Sequence, residues 1–202
     1  MRFIEILDEL KKQYKNNTLT RENGTLLLGP GTVPRAEHML FKPLDDELIE
    51  EFLISKYVFK FPEEYIKLLK YTNGADLCTV RVWHTIKKKR ISTASGFFVI
   101  YGLPRTQPFG RPDNMEEPYD VRIEDLRRHD DIPKHWLHCG NYTRNYDLHT
   151  VYDIFIDSES GRVFSCQRDT ATVVDSWDNL DDCLCSIYHS LDDRETEYEF
   201  KR

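Results

Sequence analysis

Ile4, Leu7, Leu10 and Tyr14 recur at intervals of three and four residues. That spacing returns a side chain to the same helix face and predicts an amphipathic helix over 3–14. Asn16-Asn17-Thr18 breaks it, and residues 16–38, with ENG and GPGTVP, carry turn chemistry around the apolar run Leu26 to Leu28, read as one strand of a small accessory hairpin. A second helix is signalled by Pro43, by Asp45, Asp46 and Glu47 at its positive end, and by Leu48, Ile49, Phe52 and Leu53 on one face. A third lies in FPEEYIKLLKYTNG, residues 61–74: Pro62 suits the first turn, Glu63 and Glu64 favour the helix dipole, and Tyr65, Leu68 and Leu69 form the buried stripe. Asn73-Gly74 closes it, because glycine reaches the left-handed conformation without steric cost.

After Gly74 the period changes from helical to alternating. CTVRVWHTI (78–86) sets Val80 and Val82 on one face and Arg81 and Trp83 on the other, as a strand does, while GFFVIYGL (96–103) is nearly all apolar and reads as a more central strand. KKKR (87–90) then falls in their connection. Four prolines between Pro104 and Pro118 predict a long surface loop, followed by a short helix near 123–128 and a strand over 135–142. In 150–169, Tyr152, Ile154 and Ile156 alternate with Val151, Asp153, Phe155 and Asp157, SESG turns the chain, and Val163 to Gln167 runs back: a β-hairpin. A closing helix is expected from Ser176 as N-cap, burying Trp177, Leu180, Leu184, Ile187 and Leu191.

This order predicts an α+β fold: a single domain with an antiparallel-rich twisted β-sheet and helices packed against it. The expected division is an N-terminal helix and accessory hairpin (1–42), the main α+β domain (43–191) and an acidic tail (192–202). At 202 residues with 12% aromatic content, the chain is long enough for one aromatic-rich core.

Charge adds a direction. The net charge is −7, and nine acidic residues stand against three basic ones between Asp175 and Arg202, a balance that attracts cationic partners and disfavours direct binding to nucleic acid. No apolar run approaches a membrane span, and the first residues match neither a secretory signal nor a transit peptide. Five cysteines, an odd number without a repeating framework, fit reduced thiols in a cytoplasmic protein.

Candidate chemistry is sparse. His129, Asp130, His135, His138, Cys139 and His149 offer imidazole and thiolate to a metal, and a metal-dependent hydrolase built on His129–His149 is one reading. Against it, His135 and His138 stand three apart on a strand and point to opposite faces, so no metal or other cofactor is expected. Cys183 and Cys185, two apart on a helix, face different directions and read as packing. GPGT at 29–32 lacks the lysine of a phosphate loop, and KKKR reads as a solvated hairpin end. Asp153 with Asp157, and Asp178 with Asp181 and Asp182, read as acidic faces, either solvated or shaped for a basic partner.

The helix ending in NG, IPKHWLHCGNY, the YDIFIDSESGRVF hairpin and the closing VVDSWDNLDDCL occur in an order that resembles the SUKH superfamily over roughly residues 43–190. That group includes yeast-type regulators of cell-wall synthesis and bacterial immunity proteins that neutralise polymorphic toxins. The resemblance implies a SUKH-like fold and a protein without catalytic activity that binds another protein, a toxin of the basic nuclease kind, with a regulatory scaffold as the alternative. The partner-binding residues then expected are Trp83, Tyr142, Asp157, Glu159, Asp178, Asp181 and Asp182: acids to steer, aromatics to anchor.

Overall fold

A computed structural model describes residues 1–29, 37–56, 61–86, 89–103, 132–133, 135–144 and 150–195, with side chains for all of these except 52–56, 79–97 and 192–195. In chain order the elements are α1 (Arg2–Gln13), β1 (Thr18–Thr20), β2 (Leu26–Leu28), β3 (His38–Leu40), α2 (Asp46–Lys56), α3 (Glu63–Tyr71), β4 (Ala75–Ile86), β5 (Lys89–Ile100), β6 (Trp136–Thr143), β7 (Val151–Asp157), β8 (Val163–Gln167), β9 (Val173–Trp177) and α4 (Leu180–Glu195). The nine strands form one sheet in the order of the chain, and each pairs antiparallel with the next. The α+β architecture expected from the pattern is the one observed. The β1–β2 hairpin, read as accessory, is continuous with this sheet through β3, whose Met39 and Leu40 pair with Asp76 and Ala75 of β4.

The main core lies between helices and sheet. Phe3, Leu7 and Leu10 of α1, Tyr65, Leu68 and Leu69 of α3, and Leu180, Leu184, Ile187 and Leu191 of α4 join Leu77, Phe98, Ile100, Leu137, Ile154, Ile156 and Val163 in one cluster. Burying each leucine of this kind stabilises the fold by about 1.5–3 kcal/mol. The α3 stripe is the predicted one. On α1 the expected Leu7 and Leu10 are buried, Phe3 takes the place expected of Ile4, and Tyr14 serves as C-cap and packs against the core.

The FPEEY…NG segment does more than form a helix. Phe61 stacks on Tyr65 at 5.7 Å between ring centroids, and the Tyr65 hydroxyl donates to Tyr101 O at 2.7 Å. Glu64 Oε2 accepts from Leu180 N at 3.0 Å, so α3 caps the start of α4. At the stop, Gly74 has φ +86°. Asn73, 1% exposed, holds the chain beyond β5 like a second strand: its Nδ2 donates to Leu103 O at 2.6 Å and its Oδ1 accepts from Leu103 N at 2.7 Å. Gly102 is required beside it, since a Cβ there would stand 2.2 Å from Asn73 O.

Four expectations are corrected. Ser176 is not the cap of the last helix, nor Trp177 its first buried residue; both belong to β9, where Trp177 pairs with Val163. The cap is Asn179, whose Oδ1 accepts from Asp182 N at 2.8 Å. Lys89 and Arg90 belong to β5 rather than to a connection. The expected tail 192–202 starts too early, since α4 continues through Glu195, while its residues 196–202, the proline-rich loop 104–118 and the helix near 123–128 lie outside the described residues.

Candidate functional site

Asp157 ends β7 and organises the turn into β8. Its Oδ1 accepts from Glu159 N at 2.9 Å and from Ser160 N at 3.3 Å, and its Oδ2 accepts from the Ser160 hydroxyl at 2.6 Å. Desolvation pushes the carboxyl up, but these donors, with His135 Nε2 at 3.7 Å, outweigh it and hold the group below the usual carboxylate range. Asp157 is therefore engaged in building the turn, and Glu159 stands exposed on it. Because Ile156 pairs with Val163 and Val163 with Trp177, this turn and the β9–α4 connection lie at the same end of the sheet. Asp178 follows there, its side chain 92% exposed and 4.0 Å from Arg162 Nε.

Asp181 and Asp182 open α4. Asp181 caps a different helix: its Oδ1 accepts from Phe3 N at 2.9 Å and its Oδ2 from Arg2 N at 3.0 Å, satisfying amides that the first turn of α1 leaves without intrahelical partners. Burial opposes ionisation there, and the two amides and the Arg2 guanidinium overcome it, so the carboxyl sits below its ordinary value. Asp182 binds Arg2 and accepts from Asn179 Nδ2 at 2.9 Å. Of the five acids expected to meet a partner, Glu159 and Asp178 are the exposed ones, Asp182 is half-exposed, and Asp157 and Asp181 hold the fold.

The two aromatics fare differently. Tyr142 is 2% exposed, inside the main core, with its hydroxyl 3.2 Å from Ser165 Oγ. Contrary to the expected anchoring role, it offers no exposed ring to a partner. Trp83 lies on β4 opposite Ser92, in the portion of the β4–β5 hairpin beyond the pairing of β3 and β6, a two-stranded ribbon roughly 25 Å long. Its side chain lies outside the described residues.

The opposite face of the sheet holds a polar network that alternation had classed as an acidic surface. Asp153, 8% exposed, accepts from Arg168 Nε at 3.1 Å and from Arg168 Nη2 at 2.5 Å. His138 Nε2 lies 3.2 Å from Asp153 Oδ1, within ion-pair reach but off the hydrogen-bond axis. Desolvation favours the protonated acid; His138 and Arg168 prevail, and the Asp153 carboxyl stays below its usual range. The His138 ring meets Tyr101 edge-on at 4.8 Å, and the Tyr101 hydroxyl accepts from Asn141 Nδ2 at 2.7 Å. Trp136 stacks on Phe164 at 4.2 Å, with the Arg162 guanidinium 5.4 Å from the Phe164 ring. Asp153 on β7 across from Cys166, with Arg168 just past the end of β8, was the signal available.

Burial pushes the Cys166 and Cys185 thiols up to about 11 and raises Cys139 and Cys183 as well, which disfavours the reactive thiolate. Among the described residues, no three His, Cys, Asp or Glu side chains group as metal ligands; His129, Asp130 and His149 lie outside those residues. No described helix is long and apolar enough to cross a membrane.

A model of the SMI1/KNR4 family (SUKH-1) matches residues 43–186, from the approach to α2 into the middle of α4. The chain belongs to the SMI1/KNR4 (SUKH-1) family. The SUKH-1 match contains the Asn73–Leu103 clamp, the Asp153 network and the acidic end, while α1, β1, β2 and β3 precede it. No curated protein and no solved structure matches this SUKH-1 chain.

Proposed function

We propose that this SUKH-1 protein is a cytoplasmic immunity protein that neutralises a cognate toxin by binding it, without catalysis of its own. The partner chemistry that fits is a cationic protein surface, as on a nuclease domain that must attract phosphate. The observation that carries the reading is charge placement: Asp169 to Asp182 contains five acids and no base, and it forms the last strand of the sheet and the first turn of α4. Acids at such an edge accelerate encounter with a basic partner over long range.

The test is co-expression with the toxin domain encoded beside the gene, followed by co-purification and a nuclease assay. Retention of the toxin with loss of its activity is expected. Changing Glu159→Gln, Asp178→Asn and Asp182→Asn together is expected to slow association by about tenfold or more at low salt and to flatten its salt dependence. A toxin that fails to co-purify and stays active would refute the reading; unchanged association kinetics in the triple variant would remove the steering role.

A further inference from the structure

Among the described residues the sheet ends in two edges of unlike character. At one, β1 has three residues and is flanked by Lys15 and Arg21. At the other, β9 has five, and no described strand lies beyond it. Val173 and Val174 on β9 are 49% and 38% exposed, and with Leu19 they are the large apolar side chains most open to solvent among the described residues. The edge presents its backbone too. In an antiparallel ladder, alternate residues turn their N–H and C=O to opposite neighbours. Asp157 N donates to Arg162 O, and Gln167 N donates to Thr172 O, so even-numbered residues of β8 face β7 and odd-numbered ones face β9. Their opposites on β9 include Asp175 and Trp177, paired with Ser165 and Val163. Ser176 between them turns its N–H and C=O outward.

Acids flank this strip. Asp169 and Asp178 stand exposed before and after β9, while Asp175 is engaged by Arg144. An unpaired edge with lysine or proline on it would repel an added strand; β9 carries neither, and its only charge is acidic. We infer that the partner docks by adding an extended strand bearing lysine or arginine to β9, with backbone bonds to Ser176, apolar contact on Val173 and Val174, and cations near Asp169 and Asp178. A second copy of β9 is a poor occupant, because it would bring the same acids together. The inference rests on the proposed protein-binding function and specifies its contact surface.

The full-length chain labelled with 15N is titrated with two synthetic ten-residue peptides, one alternating lysine with valine and the other glutamate with valine. Expected are shifts and slowed hydrogen exchange at residues 173–178, strongest at the Ser176 amide, with the lysine peptide only, and loss of binding at high salt. Ser176→Pro removes the outward donor while leaving the bonds to β8, and Val173→Lys adds a repelling charge; each is expected to weaken binding about tenfold with an unchanged melting temperature. Because Val173 is exposed, its variant serves if the proline disturbs folding. Equal response to both peptides, shifts confined elsewhere, or no binding would overturn the inference. A toxin retained with full affinity by both variants would defeat strand addition and leave the immunity reading standing. Lysine-peptide addition to β9 without any toxin binding would do the reverse.

Discussion

The two faces of β7 lead into interiors of different chemistry. Ile154 and Ile156, at most 1% exposed, enter the apolar core under the helices. Phe155 and Asp153, at 3% and 8%, are buried almost as deeply on the other side, among His138, Arg168 and Cys166. Alternation thus separates two faces correctly without saying that the polar one is wet. A charged residue tolerates burial when its partners are built in, and here Arg168 and His138 supply them.

Truncation on the apolar side should have the largest effect. Leu68→Ala or Leu184→Ala removes a side chain at most 1% exposed and is expected to cost about 2–5 kcal/mol, read from urea unfolding. A loss below about 1 kcal/mol would mean that this core repacks freely, blurring the contrast between the faces. Asn73→Ala tests a buried polar side chain away from the Asp153 network. It deletes both bonds to Leu103 and leaves that residue's amide and carbonyl without their partner, at an expected cost of about 2–3 kcal/mol.

The polar face should show a smaller loss and a distinct pH signature. Arg168→Ala leaves Asp153 buried beside His138 alone; because the Arg168 side chain is 35% exposed, the expected cost is about 1–2 kcal/mol, toward the lower end for a paired charge. Asp153 has a folded-state pKa below its ordinary value. Its contribution is therefore complete above the unfolded-state pKa of about 4 and disappears as pH falls through the lowered folded value. Melting temperature against pH should accordingly lose part of its acid-side slope in Asp153→Asn, while Leu68→Ala shifts the curve down with its slope intact. Identical slopes in both variants would show that Asp153 titrates as an ordinary surface acid.

These contrasts also mark what the residues disclosed in advance. The α3 stripe, the β7–β8 hairpin and the Gly74 stop were legible because periodicity and turn chemistry are local. The β9 strand was not: VVDSW joins a β-branched pair to a serine followed by a tryptophan, and serine before an apolar residue is also a helix-start signal. Pairing with β8 decided the matter, and pairing is not local. The same limit applied to Asn73, readable as a helix stop but not as a clamp on Leu103, and to Tyr142, whose burial depends on β6 lying between β5 and β7. Acidity at the end of the chain was visible in composition. Which acids are free was not, since Asp181 meets Phe3 across 178 residues.

That last distinction gives the smallest effects and the sharpest sorting of the candidate site. Asp181→Asn replaces a carboxylate that accepts two α1 amides and contacts Arg2, and the lost charge at a helix N-terminus should cost about 0.5–2 kcal/mol. Asp178→Asn removes a charge whose nearest cation among the described residues is 4.0 Å away at an exposed site, and stability should stay within about 0.5 kcal/mol of the parent. Partner association should respond in the opposite order, with Asp178 slowing it more than Asp181, whose charge already faces Arg2. Calorimetry on the two variants, set beside association rates for the proposed toxin partner, separates the acids that hold the protein together from those that face outward. If Asp178→Asn destabilised the fold as much as Asp181→Asn, the exposed end of the sheet would be structural, and the acidic edge would lose its standing as a docking surface.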